Sequence, residues 1–355
     1  TGDRGPLFYM PAQRIDIEQF LSLALLHPVL DVRSPGEYKH AHIPGAHSFP
    51  LFTDEERRIV GTTYKQNSRE EAIKIGLDFF GPTLKQRVIE AERIAKGNKI
   101  LLVHCWRGGM RSAAISWLLD LYGFKIYTLV GGYKAYRNWV LEQFKKNYPF
   151  RLIGGYTGSG KTELLVALKK EKQLIVDLEE IAGHKGSAFG NIGLPPQPGQ
   201  EQFENCLSMA LHGCVQANAS TPIWLEDESQ RIGTVNIPNE LWNTMRKSPV
   251  YFLDIPFEKR LEHIVEEYGQ LDQEAVVAAI GRITKKLGHL QAQQAVDFLQ
   301  ENNTTESFSI LLRYYDKLYA KSLQNREGLE KLLTNIPADQ TGAANVTALL
   351  SIKKV

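Results

Sequence analysis

The sequence predicts two α/β domains in tandem, the second built around a phosphate-binding loop and continuing into a helical C-terminal part. Three observations carry this. The chain has 355 residues, more than one ordinary core accommodates, so two domains are expected. Short apolar runs alternate with helical patterns in both halves, as in sheets covered by helices. Near the middle, Gly155-Tyr156-Thr157-Gly158-Ser159-Gly160-Lys161-Thr162 fits the spacing G-x-x-x-x-G-K-[ST].

Hydrophobic residues make up 43% and charged residues 23%, the balance of a soluble globular protein. A net charge of +2 neither demands nor excludes a polyanionic partner, so any nucleic-acid site is a local patch. Neither a membrane-spanning run nor a signal peptide is expected. Cys105, Cys206 and Cys214 are too few for a disulfide framework, which points to a reducing cytoplasm. Residues 1 to 9 precede the first methionine, Met10, and are set aside; the first domain is taken as 10–146.

In the first half, Ile15 to Leu26 has helical spacing, and Pro28-Val29-Leu30-Asp31-Val32-Arg33 is a short buried strand ending in charges. Ser34 to Tyr38 turns into a short helix, and His42 to His47 turns into a short strand at Ser48-Phe49. Residues 54 to 97 are mostly helical, broken at Gly81-Pro82. Ile100 to His104 is an apolar strand that delivers Cys105 to its carboxyl end, where open α/β sheets place their sites. A helix from Ser112 to Tyr122, a strand from Lys125 to Leu129 and a helix ending near Phe144 complete the domain.

Cys105-Trp106-Arg107-Gly108-Gly109-Met110-Arg111-Ser112 joins that strand to a helix N-terminus. Several N–H groups aim at the sulfur, and Arg107 and Arg111 add positive charge. Both effects favour the thiolate, so Cys105 is a candidate nucleophile with Arg107 and Arg111 as catalytic partners. Cys206 and Cys214 instead share an amphipathic pattern with Phe203, Leu207, Ala210 and Leu211 and are expected in a core. Asp31-Val32-Arg33 with Glu37-Tyr38, His42-Ile43-Pro44-Gly45-Ala46, the Cys105 loop and Val130-Gly131-Gly132-Tyr133 together resemble a rhodanese domain. That resemblance implies a sulfur or selenium atom carried on the loop cysteine. The spacing C-x5-R is longer than the usual rhodanese loop and is similar to that of dual-specificity phosphatases. It suits a tetrahedral phosphate-bearing donor as well as a phosphoester.

Residues 142 to 150 are the expected boundary, and the second domain is taken as 150–355, P-loop NTPase-like, with a helical extension from about 273. Leu152-Ile153 leads into the phosphate-binding loop, and a helix over Glu163 to Lys170 leads out. Gly155, Gly158 and Gly160, with Ser159, let backbone N–H groups turn inward around a phosphate, and the helix points its positive end at the same anion. Lys161 is placed to reach a terminal phosphate and Thr162 to hold Mg²⁺. One strand, Gln173 to Val176, ends at Asp177, which is expected to face substrate or metal. Another, Pro222 to Leu225, is followed by Glu226-Asp227-Glu228. Glu226 and Asp227 are the choices to support Mg²⁺, with Glu228 expected in the turn. Glu179 and Glu180 are expected only to cap or solvate a helix.

Gly183 to Gly190 is glycine-rich and basic, either a mobile loop or one whose His184 and Lys185 contact phosphate or RNA; Pro195 to Gly199 extends it. Gln202 to Ala217 is a helix and Val250 to Ile255 a strand. Pro256 opens a helix on which Arg260 is either a phosphate ligand or a solvated surface group. Residues 273 to 333 are helical, and Arg282, Lys285, Lys286 and His289 give them one basic face, for RNA or for solvent. Tyr314, Tyr315 and Tyr319 are expected in the core or an interface. The tail after Pro337 is small and polar and ends in a short apolar run.

Longer strings narrow the field: Val60 to Gln66, Gly131 to Ala135, Gly154 to Thr162, Gly183 to Gly190 and Leu225 to Ser229. Together they closely resemble the tRNA 2-selenouridine synthase family, from about Ile15 to about Tyr319. The resemblance implies a transferase acting on the anticodon region of tRNA. There, 2-thiouridine at the wobble position is geranylated on sulfur by geranyl diphosphate, and selenium from selenophosphate then replaces the geranylthio group. On that basis pyrophosphate leaves into the loop of Lys161, Thr162 and Mg²⁺. The Cys105 loop holds the phosphate of selenophosphate while the thiolate attacks selenium. Two other classes stay open: a cysteine phosphatase or sulfurtransferase fused to an ATP-dependent kinase, and a nucleotide-gated RNA-binding module. The oligomeric state is open as well.

Overall fold

The computed structural model describes residues 12–269 and 271–352, so the expected domain limits at 10 and 355 lie outside the described residues. The chain divides into two compact units between Glu142 and Gln143.

In the first unit, β1 (Gln13–Ile15), β2 (Val29–Asp31), β3 (His47–Ser48), β4 (Ile100–His104) and β5 (Lys125–Leu129) form one parallel sheet ordered β1-β5-β4-β2-β3. Its helices are α1 (Ile17–Ala24), α2 (Pro35–His40), α3 (Asp54–Gln66), α4 (Arg69–Phe80), α5 (Leu84–Ala95), α6 (Met110–Tyr122) and α7 (Gly132–Gln143). The central strand β4 is covered on both faces, which is why it is apolar throughout; Val103 packs with Leu30, Ile115, Leu119 and Ile126. Strand β1 is missing from the sequence-based expectation. It is short and mostly exposed, and only its register against Tyr127 to Leu129 makes it a strand. It displaces the start of the first helix from Ile15 to Ile17, with Asp16 capping through the Gln19 N–H. The break at Gly81-Pro82 is a turn of 3₁₀ helix.

In the second unit, β6 (Phe150–Gly155), β7 (Leu174–Ile175), β8 (Ile223–Glu226), β11 (Val250–Asp254) and β12 (Leu333–Pro337) form a parallel sheet ordered β12-β11-β6-β8-β7. Strands β9 (Arg231–Ile232) and β10 (Val235–Asn236) make a separate antiparallel hairpin. The helices are α8 (Lys161–Lys170), α9 (Leu178–Ala182), α10 (Gln200–Asn218), α11 (Asn239–Arg246), α12 (Phe257–Tyr268), α13 (Gln273–Leu287), α14 (His289–Gln300), α15 (Thr304–Gln324), α16 (Leu329–Leu332) and α17 (Val346–Leu350). Helices α12 to α15 close a core of their own that includes Ile264, Ile280, Phe308 and Leu312. Where the helices were expected to end at 333, β12 adds a strand beside β11, and in the tail beyond it the Gly342 N–H donates to the Ser159 carbonyl at 3.1 Å. No helix among the described residues is long and apolar enough to cross a membrane.

Candidate functional sites

Strand β4 ends at His104 and hands the chain to Cys105, whose side chain is buried. The Gly109 N–H donates to Sγ at 3.3 Å, and the Ser112 hydroxyl lies 3.3 Å from it. Burial works against the thiolate. The Ser112 hydroxyl and the N–H groups of Ser112, Gly109 and Arg107 outweigh it and hold the thiol below its ordinary value. Gly132 makes the loop's close approach possible: its φ is +59°, and a Cβ there would sit 2.3 Å from the Cys105 carbonyl oxygen. The arginines differ from expectation. Arg111 donates to Glu37 at 2.6 Å, so its charge is met by α2, and Arg107 contributes its backbone N–H while its side chain is exposed. Cys214 is buried and Cys206 half-buried, and burial raises both thiols, as befits packing residues.

In the second unit β6 runs into the phosphate-binding loop, and α8 begins at Lys161. Gly160 has φ +71°, and a Cβ there would lie 2.5 Å from the Gly342 nitrogen, so the tail packs on a position only glycine fills. Lys161 Nζ donates to the Gly155 carbonyl at 3.2 Å. The Ser159 hydroxyl is fully buried and has no hydrogen-bond partner, as suits a loop built to receive an anion. Tyr319 accepts from the Gly155 N–H at 3.3 Å and donates to Asp227 at 2.8 Å.

The acids are arranged otherwise than expected. Asp227 is occupied by Arg326 and Tyr319. Glu226 is wholly buried behind the site, with one oxygen facing the Leu178 N–H at 3.4 Å. Asp177 lines the cavity but caps α9 through the Glu180 N–H at 2.7 Å. The acid beside the loop is Glu179, which accepts from the Thr162 hydroxyl at 3.0 Å. Glu228, expected in a turn, lines the same cavity. Burial and the neighbouring Glu228 charge push Glu179 up to about 8. Its place in the first turn after β7, at the carboxyl edge of the sheet, was the available signal. Among the described residues no three His, Cys, Asp or Glu side chains form a preformed metal site. Thr162 and Glu179 put two hard oxygen donors side by side, which fits Mg²⁺ when a bound phosphate supplies further oxygens.

The Gly183 to Gly190 loop is pinned. Arg282 donates to the Ala188 carbonyl at 2.7 Å, the Ala188 N–H donates to Tyr315 at 2.9 Å, and Lys185 pairs with Glu267. His184 is buried and lines the cavity, and burial lowers its pKa. Arg282 therefore serves this loop, while Lys285 and Lys286 stay exposed on α13. Arg260 is not a solvated surface group: it is buried, binds Asp316 with two nitrogens, and donates to the Thr157 carbonyl at 3.0 Å. One cavity of about 1170 Å³ joins these parts. Ser159 to Thr162, Glu179 and Glu228 line its polar end, and Phe189, Ile264, Leu311, Leu312, Tyr315 and Leu318 line its apolar wall.

A sheet delivering an activated cysteine in one unit and a phosphate-binding loop in the other define a rhodanese-like domain followed by a P-loop domain. Residues 16–138 match the model of the rhodanese-like domain, and residues 148–335 match that of the tRNA 2-selenouridine synthase AAA domain. The tRNA 2-selenouridine synthase of Nitrosomonas europaea is 34% identical over 349 residues, covering 84% of this chain and 90% of that protein. That of Marinobacter nauticus is 34% identical over 352 residues, covering 89% and 94%. That of Shewanella denitrificans is 34% identical over 354 residues, covering 90% and 94%. The chain belongs to the tRNA 2-selenouridine synthase family.

Proposed function

We propose that this chain is a cytoplasmic, tRNA-modifying transferase with a divided labour. The domain at 150–355 geranylates 2-thiouridine at the wobble position with geranyl diphosphate. The domain at 10–146 then serves the replacement of the geranylthio group by selenium from selenophosphate. One observation carries this reading: a phosphate-binding loop and a long apolar wall share one cavity, matched to a diphosphate head with a hydrocarbon tail.

In the first step the sulfur of the base attacks C1 of the prenyl chain. The C1–O bond breaks, pyrophosphate leaves, and N3 of the base loses its proton. The loop N–H groups and Lys161, released from the Gly155 carbonyl, neutralise the departing charge. Mg²⁺ held by Thr162 and Glu179 would add positive charge to the same diphosphate. The apolar wall keeps water from the activated carbon.

In the second step selenium bonds to C2 of the base and geranylthiol leaves. Selenium in selenophosphate is already fully reduced, so a thiolate attack on selenium that released phosphate would demand a two-electron oxidant. Electron balance therefore moves the target of Cys105 from selenium to phosphorus. The thiolate takes the phosphoryl group, with the N–H groups of Arg107, Gly109 and Ser112 around the anion; the P–Se bond breaks, hydrogen selenide leaves to attack C2 and gives its proton to geranylthiolate, and water returns the phosphoryl group as phosphate. Lys285 and Lys286 are the groups offered to tRNA phosphates. The test is mass spectrometry of wobble nucleosides from thiolated tRNA incubated with geranyl diphosphate. Lys161→Ala should slow geranylation by about 100-fold or more. A normal rate in that variant would remove the loop from the reaction.

A further inference from the structure

The residues of α15 that line the cavity are Phe308, Leu311, Leu312, Tyr315, Leu318, Tyr319 and, beyond them, Ser322. Their spacing of three and four makes one stripe along the helix. The stripe has a direction. Tyr319 stands at the phosphate-binding loop, bonded to the Gly155 N–H at 3.3 Å and with its ring 6.0 Å from Lys161 Nζ. Phe308 precedes it by eleven residues, about 16 Å along the helix at a rise of about 1.5 Å per residue.

Helix α12 gives the same direction independently. Arg260, in its first turn, donates to the Thr157 carbonyl in the loop at 3.0 Å. Tyr268, its last residue, meets Phe308 with ring centroids 6.2 Å apart. Phe189, from the pinned loop, meets Phe308 edge-on at 6.0 Å. The cavity thus runs from a diphosphate end to the buried rings of Phe189 and Phe308, with the Lys185–Glu267 pair lining it beside Tyr268.

With carbon–carbon bonds of about 1.5 Å, an extended two-isoprene tail with its diphosphate spans about 14 Å, and a three-isoprene tail about 19 Å. The geometry points to Phe308, backed by Phe189, as the residue that sets the length of prenyl diphosphate this protein accepts. Two units end before the ring and three press on it. This rests on the prenyl-diphosphate reading of the cavity.

The experiment is calorimetric titration of the full chain with geranyl diphosphate, farnesyl diphosphate and inorganic pyrophosphate. The wild type should bind geranyl diphosphate at least about tenfold tighter than farnesyl diphosphate, the scale on which apolar pockets discriminate. Phe308→Ala should shift that ratio about tenfold or more toward farnesyl diphosphate. Loss of a buried Phe can unfold the helices, so Phe308→Leu and Phe189→Leu are titrated beside it and should move the ratio the same way. Equal binding of the two tails by the wild type, or an unchanged ratio in folded variants, overturns the stop. If pyrophosphate binds as tightly as geranyl diphosphate, the prenyl reading fails and the stop fails with it.

Discussion

Ser112 is one of the groups that favour the Cys105 thiolate. Its hydroxyl lies 3.3 Å from Sγ, and its donors are among those that offset the burial of the sulfur. Ser112→Ala removes one donor from the charged form, so the thiol titrates at higher pH. The rate of Cys105 alkylation by iodoacetamide should then rise at a higher pH than in the wild type. An unchanged profile would mean that the hydroxyl does not support the thiolate. At this scale the sequence was legible where chemistry and spacing coincide. Cys105, Lys161 and Thr162 sit where a strand, a loop and a helix start must put them. The places of Glu179, Arg260 and Arg111 were not legible because their partners are distant in sequence: Thr162, Asp316 and Glu37. No local pattern announces such pairs.

Among the elements, α15 and the turn that follows it do the most to shape the P-loop site. Tyr319 and Arg326 together hold Asp227 at the end of β8, and Arg326 is almost fully buried. Arg326→Leu would leave a buried carboxylate without its counter-charge, at a cost of about 3–5 kcal/mol. Urea unfolding of the full chain should show that loss, and adding Asp227→Asn should recover part of it. A loss below about 1 kcal/mol would mean that the pair is not what holds this corner. The buried strands β4, β8 and β11 were readable because covering both faces demands apolar runs, and β6 from Leu152-Ile153 before the phosphate-binding loop. The edge strand β1 and the strand β12 were not, since β1 is mostly exposed and both are defined by their neighbours. The tail was read as small and polar with a short apolar run at its end; its packing against Gly160 was not legible because that contact lies far along the chain.

At the scale of the whole molecule, the α/β class of both halves followed from the alternation of strands and helices together with two loops at strand ends. The apolar wall did not follow. It is assembled from α12, α15 and a glycine-rich loop whose fold depends on Arg282 and Tyr315. The central claim is that one unit handles the lipid diphosphate and the other handles the selenium donor. It is tested most directly by giving Cys105→Ser protein thiolated tRNA, geranyl diphosphate and selenophosphate, then weighing the wobble nucleosides. Geranylated 2-thiouridine should accumulate and 2-selenouridine should be absent. Loss of both products together, or normal formation of 2-selenouridine, would contradict that claim.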